Sequence, residues 1–280
     1  MIDRSRISRL RPIYLPQPVN RQHSLNQSLV AWWKCLPGLT GSQYFYDLLG
    51  LNKGTLTNMG SGSGWGGSPA PGGWGSLRFV AASSTYIDAG TSAVFDFPTQ
   101  NFSVAFWVNP SSLPVGGFTP VSRGLYHVDG WYIFVDSSGR VWIAEQSSGV
   151  ERSLRTTTGI SAGSWTRVVA VRTGTSTAAI YFNGVPKSTT TGESAFGDGA
   201  TSTRALAIGG PSSTGSLTGQ EDSVKIWSRA LTAAEVVWEY RDELNGCLDT
   251  LNRLGGLTAA QQQMAAFVNG EASFAGYVEG

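Results

Sequence analysis

The chain has 280 residues, of which 14% are charged, and its 20 basic and 19 acidic side chains give a formal net charge of +1. This even balance excludes an overall field that would attract nucleic acid, and the low charge content together with 36 Gly and 12 Pro excludes a coiled coil. Because apolar residues reach 41% and include 10 Trp, the chain is expected to fold, and since no run of about 18 apolar residues occurs, no membrane partner is expected.

The first 28 residues differ in composition from the rest of the chain. Prolines at positions 12, 16 and 18 favour extended backbone, so residues 1–28 are predicted to form an extended basic arm. Four arginines precede the prolines: Arg4, Arg6, Arg9 and Arg11. Two interpretations stay open, a frayed terminus or an assembly arm whose arginines pair with acidic groups of another subunit. No apolar stretch follows the positive residues, so no secretory signal peptide is expected.

Between residue 29 and about residue 227, short apolar runs alternate with clusters of Gly, Ser, Thr, Asn and Pro, which is typical of an all-β sandwich. In the run 101–109 the alternation places four apolar side chains on one face of a strand: Phe102, Val104, Phe106 and Val108. Asn183 and Gly184 form a strong hairpin signal because both tolerate positive φ. The strands are therefore expected to be mostly antiparallel neighbours.

A glycine-rich stretch at 60–75 contains Trp65 and Trp74 and is predicted to be a surface loop. The two rings are candidate ligand-binding residues, since aromatic side chains on such a loop can stack on sugar rings or on a partner's side chains. The alternative is structural, with both rings folded back to cap one end of the sandwich.

A helix is predicted after the last strand. Thr232 and Glu235 have the spacing of a capping box, and the helix should run to about Leu244 before Asn245 and Gly246 end it. Residues 246–280 are predicted to form a C-terminal tail with a second, short helix from about residue 258. A helix of that length is marginal alone, so the tail should pack on the sandwich or fasten onto a partner.

Several segments, in their order and spacing, resemble the laminin-G-like, concanavalin A-like jelly-roll domains: 86–88, 102–108, 180–185, 219–227 and 229–235. The resemblance covers about residues 29–245. It implies a jelly-roll sandwich of two antiparallel sheets, with the first and last strands as neighbours in one sheet. It also implies binding of glycans or proteins, although fold alone does not settle function.

Many domains of this kind hold calcium at one rim, and the resemblance makes Asp222 and Asp88 candidate metal ligands. The alternative is that Asp222 accepts hydrogen bonds from nearby turns, and we expect no required cofactor. Cys35 and Cys247 are expected to be buried thiols, because two cysteines are too few for a disulfide scaffold. The resemblance places them after the first and last strands, close to each other, where a reducing cytosol would leave them unpaired.

No enzymatic activity is predicted, because no carboxylate pair has same-face spacing in an inner strand and no nucleophile elbow occurs. Glu145 and Glu151 flank a hairpin turn and are expected to be solvated. Tyr126 and His127 are further candidate ligand-binding residues at the rim. His127 with Asp129 could form an acid–base pair, but an ordinary rim histidine is the favoured interpretation.

The favoured hypothesis is a non-enzymatic component of a phage or virus particle, such as a head decoration, fibre or tail-associated protein. The arm and the tail would bind other subunits, a homo-oligomer would suit such an assembly, and the tryptophan loop would bind host glycans. The protein would be made in the host cytoplasm and act outside it. The alternatives are a carbohydrate-active enzyme or its binding module, and a bacterial adhesion domain outside the cell or on its surface.

Overall fold

The computed structural model describes residues 19–36, 42–60, 62–210 and 215–247. These residues form 17 strands and one α-helix. In chain order they are β1 (Leu29–Trp33), β2 (Tyr44–Phe45), β3 (Gly54–Thr57), β4 (Gly64–Gly67), β5 (Ser76–Phe79), β6 (Tyr86–Asp88), β7 (Phe102–Pro110), β8 (Phe118–Leu125), β9 (Asp129–Val135), β10 (Arg140–Ser147), β11 (Val150–Gly159), β12 (Thr166–Thr173), β13 (Thr177–Phe182), β14 (Val185–Lys187), β15 (Thr189–Thr191), β16 (Ala207–Ile208), β17 (Gly219–Trp227) and α1 (Ala233–Leu244).

The strands form two antiparallel sheets. The back sheet has the order β14-β13-β12-β7-β17-β5-β4, and β1 pairs with the end of β17 that β5 leaves free. The front sheet has the order β15-β11-β10-β9-β8-β16-β6-β3-β2. The predicted jelly-roll sandwich is confirmed, and the first and last strands are neighbours, as the resemblance implied.

The apolar alternation read from the sequence determines which side chains meet between the sheets. The four predicted residues of β7 are all fully buried there: Phe102, Val104, Phe106 and Val108. Trp131, Ile133 and Val135 of β9 enter the same core from the front sheet. The opposite face of the back sheet is also covered, by α1 and residues around it, so this sheet is buried on both sides.

Helix α1 begins and ends where the local signals predict. The Thr232 hydroxyl accepts the Glu235 backbone N–H at 3.2 Å, and the Glu235 carboxylate accepts the Thr232 backbone N–H at 2.8 Å. Asn245 is the C-terminal cap, and Gly246 takes the left-handed conformation with φ of 71°. The capping box is therefore formed in full.

The prediction of a surface loop at 60–75 is wrong for its central residues, because β4 pairs there with β5 at the edge of the back sheet. The register of this pair shifts between Trp65 and Gly67, and the intervening Gly66 has φ of 101°. Such a bulge lets one edge strand follow a twisted neighbour at low cost when the extra residue is glycine.

The described end of the predicted arm contacts the sandwich. The indole N–H of Trp227 donates to the Leu25 carbonyl at 2.5 Å, and Arg229 donates to the carbonyls of Ser24 and Gln27. His23 lies edge-on to Trp238 of α1 at 4.6 Å. The assembly arginines and the predicted tail helix lie outside the described residues. Among the described residues, no helix has the length and apolar character needed to cross a membrane.

Candidate functional site

A cleft of about 650 Å³ opens on the outer face of the front sheet. We call it the front cleft. The described residues that line it are Gly116, Tyr126, Tyr132, Phe134, Trp142, Glu151, Glu193 and Gly215. Four of them are aromatic or carboxylate side chains of the adjacent strands β9, β10 and β11, and the others come from connecting segments.

Strand register brings these side chains together. Phe134 lies opposite Trp142, and Gln146 lies opposite Glu151, so all four project from one face of the sheet. That face is the reverse of the one that carries Trp131, Ile133 and Val135 into the core. The signal was present in the sequence, because large aromatic residues at 132 and 134 occupy the alternate positions of β9, where a solvent-facing strand usually carries small polar residues.

The aromatic wall of the cleft is held by specific contacts. The rings of Phe134 and Trp142 meet edge to face with 6.2 Å between their centres. The Trp142 indole N–H donates to Asp136 at 3.2 Å, and the Arg155 guanidinium lies 4.8 Å above the Trp142 ring. These contacts fix the ring in one orientation before any ligand arrives.

Glu151 is buried in the cleft floor, and the prediction that it is solvated is wrong because neighbouring side chains on the same sheet face cover it. The hydroxyl of Tyr132 and the amide of Gln146 both donate to its Oε2. Burial first, and then the neighbouring Glu151 carboxylate, raises the pKa of Tyr132 far above its ordinary value. The phenol therefore stays protonated and remains the donor in this pair.

The mouth of the cleft is formed by the turn between β8 and β9. The rings of Tyr126 and His127 stack with centres 3.9 Å apart. Glu193 accepts the Tyr126 hydroxyl at 3.0 Å and lies 2.7 Å from the His127 ring nitrogen Nε2. Burial and this hydrogen bond raise the pKa of Tyr126. The structure thus brings two predicted residues to a cleft. Sequence analysis missed Glu193 and the aromatic residues of the cleft, Tyr132, Phe134 and Trp142.

The hypothesised pairing of His127 with Asp129 is wrong. His127 faces Glu193, while Asp129 lies 3.4 Å from the guanidinium of Arg204. His127 lies in the turn with φ of 59°, and its ring stacks on Tyr126 beside Glu193. The partner of His127 is therefore Glu193, which is 66 positions away in the sequence, and not Asp129, which is two positions away.

Trp65 and Trp74 are not among the described residues that line the front cleft. Trp65 lines a separate hollow of about 400 Å³, where its indole N–H donates to the Ser42 carbonyl at 2.6 Å. Its ring meets Phe45 edge to face at 5.7 Å, so it is partly built into the core. Trp74 is 44% exposed.

Asp222 and Asp88 do not form one ligand set, because they lie in different sheets. Asp222 accepts the Cys35 backbone N–H at 2.7 Å, and burial raises its pKa although Lys34 opposes the shift. Asp88 accepts the Gly90 backbone N–H at 2.8 Å. No cluster of three metal-ligating side chains occurs in the part of the chain that the structure describes. The two aspartates therefore do not share a calcium site.

Glu145, also expected in solvent, is buried on the inner face of β10 and pairs across the sandwich with Arg172 at 3.0 Å. The Arg172 guanidinium also donates to the carbonyls of Phe97, Pro98 and Gly174, and to Asp198 at 2.5 Å. Two carboxylates and three carbonyls would suit a hard metal cation. Here the guanidinium of Arg172 lies among these oxygens and supplies the positive charge instead.

A layer of buried charges lies beneath α1, and sequence analysis missed it. Glu243 of the helix contacts Lys225 at 2.6 Å and Lys34 at 3.1 Å, and Glu239 pairs with Arg167. We call these five residues the ionic layer. The two cysteines lie beside it as free, buried thiols, as predicted, and the Cys247 thiol donates to Glu243 at 3.2 Å.

A model of the concanavalin A-like lectin/glucanase superfamily, of the laminin-G type, matches residues 81–237, and the chain belongs to this family. A comparison with the sequences of curated proteins finds no match.

Solved structures share the fold at low sequence identity. The binding domain of Paraclostridial Mosquitocidal Protein 1 is 17% identical, with a TM-score of 0.58 over 77% of this chain and 52% of that one. Domain 4 of the extracellular arabinanase AbnA of Geobacillus stearothermophilus, in complex with arabinotriose, is 20% identical, with a TM-score of 0.57 over 75% and 97%. The binding domain of botulinum neurotoxin DC, in complex with SialylT, is 15% identical, with a TM-score of 0.56 over 79% and 52%. The chain thus spans about half of the two toxin binding domains.

Proposed function

We propose that this chain is a non-enzymatic carbohydrate-binding protein that holds its ligand in the front cleft and requires no metal. The observation that carries the proposal is the cleft itself, in which the rings of Phe134 and Trp142 lie beside the hydrogen-bonding groups of Glu151 and Glu193. Apolar ring faces with a few fixed polar groups are what a sugar needs, since it presents C–H surfaces between hydroxyls.

The comparisons support this choice of ligand. Domain 4 of the arabinanase was solved with arabinotriose, and the botulinum binding domain with SialylT. Both are carbohydrate complexes of domains with this fold.

The test is a glycan array followed by calorimetric titration of the best ligand. We predict that Trp142→Ala weakens binding about tenfold or more, because it removes a fixed stacking surface. Trp74→Ala is the matched control, since that ring is exposed outside the cleft. Loss of binding in the control but not in Trp142→Ala would overturn the front cleft as the site.

The absence of catalysis is part of the proposal. Glu151 and Glu193 each accept a tyrosine hydroxyl, so the two carboxylates of the cleft have hydrogen-bond donors already in place. Prolonged incubation with the best array ligand should return that ligand intact by mass spectrometry. Cleavage that disappears in Glu151→Gln would show a hydrolase instead.

We further propose that the protein is a component of a virion. Residues 1–28, the basic segment before the sandwich, would attach it to the particle. The composition of residues 1–28, with arginines followed by prolines, supports an attachment role. Replacing Arg4, Arg6, Arg9 and Arg11 with Ser in the full chain should abolish its recovery with purified particles while the thermal midpoint is unchanged. Recovery at the normal level would exclude this mode of attachment.

A further inference from the structure

Three buried glutamates of the described chain segments face a cation, and Glu151 differs from them. It is 4% exposed, it lines the front cleft, and no Lys, Arg or His among the described residues forms an ion pair with it. Glu243, Glu239 and Glu145 each lie within ion-pair distance of a buried lysine or arginine. A buried carboxylate without a cation is costly, which suggests that a ligand supplies the missing charge.

Hydrogen bonds hold Glu151 ready to accept such a group. The backbone N–H of His127 donates to Oε1 of Gln146 at 2.7 Å, which turns the amide N–H groups of Gln146 toward Glu151. Both donors, Tyr132 and Gln146, bind Oε2 of Glu151. Within the described part of the chain, no donor is found for Oε1, so this oxygen has free acceptor capacity at the cleft.

The groups around Glu151 in the front cleft favour a ligand that carries a positive charge. Glu193 adds a second carboxylate at the mouth, and the ring faces of the aromatic wall attract cations. Among the described residues, two cationic groups lie near the cleft, Arg155 over Trp142 and His127 beside Glu193. Neither of them pairs with Glu151, which leaves its charge available.

We infer that the front cleft binds a ligand ammonium group at Glu151 and, resting on the proposed carbohydrate-binding function, that the ligand is an amino sugar with a free amine. The ammonium would donate to Oε1 of Glu151 while the sugar ring lies against the aromatic wall. Such a charge-assisted hydrogen bond is about twice as strong as a neutral one. An N-acetylated or sialylated sugar lacks this donor, and a sialic acid carboxylate would face Glu151 and Glu193 with like charge.

The experiment measures the affinity of the full-length chain for two probes, the trisaccharide of glucosamine and that of N-acetylglucosamine, at mildly acidic pH, where the free amine is protonated. We expect the glucosamine trisaccharide to bind about tenfold tighter, a preference that should shrink when salt is raised from about 50 to about 500 mM. Glu151→Gln should bring the ratio of the two affinities to about one. Glu235→Gln is the matched control, because it makes the same carboxylate-to-amide change in the helix cap, away from the residues that line the cleft, and should retain the preference.

The outcomes separate this inference from the proposed function. Equal or tighter binding of the N-acetylated trisaccharide, with Trp142→Ala still impairing it, overturns the ammonium site and leaves carbohydrate binding in place. A preference for glucosamine that survives in Glu151→Gln, with an unchanged urea midpoint, also overturns it. Failure of both trisaccharides and of every other glycan on the array to bind overturns both proposals.

Discussion

Glu221 is a buried carboxyl group in the middle of the apolar core. Strand register places it on β17 between Leu77 and Val108, both fully buried, and it is 1% exposed. Neither of its oxygens has a hydrogen-bond partner among the described residues. Desolvation therefore raises its pKa well above the usual value of 4.5. The group enters the folded core as the neutral acid.

This placement makes folding dependent on pH. The folded pKa is raised, so stability from the bound proton is complete below about pH 4.5 and is lost as pH rises from there toward the folded value. Glu221→Gln mimics the neutral acid. We predict that the variant gains about 1 kcal/mol over the native chain for each pH unit in that window, measured by urea unfolding. Parallel curves of unfolding free energy against pH would contradict the prediction.

Local signals explain the elements best where both partners are close in sequence. The Asn183-Gly184 turn takes φ of 52° and 77°, as a tight hairpin needs, and joins β13 to β14. The ends of α1 are likewise set by residues within four positions of each other. Elements whose pairing depends on a distant strand were harder to predict, and β4 is the example, since its glycines carry little strand propensity of their own.

The helix cap gives a prediction at this scale. Thr232→Ala removes the acceptor for the Glu235 backbone N–H and should lower the free energy of unfolding by about 1 kcal/mol. Thr232→Ser is the control, because it keeps the hydroxyl and should stay close to the native chain. Equal losses in the two variants would mean that packing of the Thr232 methyl group, and not the capping bond, is what matters.

At the scale of the whole molecule, the two sheets have different roles. The back sheet is buried on both faces, because α1 covers its outer face through the ionic layer. The front sheet leaves its outer face open and carries the cleft. Burial alone would raise the pKa of Glu243, but Lys225, Lys34 and Arg167 hold it well below its usual value. Its stabilising effect is therefore present above about pH 4.5 and is lost as pH falls, the reverse of Glu221.

Removing this one carboxylate should loosen the helix from the sheet. Glu243→Gln leaves Lys34 and Lys225 buried without their shared partner, and we predict a loss of about 3 to 5 kcal/mol in urea unfolding. Glu193→Gln, an exposed carboxylate at the cleft mouth, is the control and should change stability by less than about 1 kcal/mol. A loss below that level in Glu243→Gln would show that the layer is not what holds α1.

The sequence by itself determined the strands with clear alternation, their core-facing residues such as Phe106 and Val108, and both ends of α1, because period-two alternation and capping are properties of neighbouring residues. The tertiary structure alone decided the candidate site and the fate of the charges. Glu193 reaches His127 across 66 positions, and Lys34 reaches Glu243 across 209. Contacts over such separations depend on sheet order and register, which no local pattern contains, and so carboxylates expected in solvent lie in the interior instead.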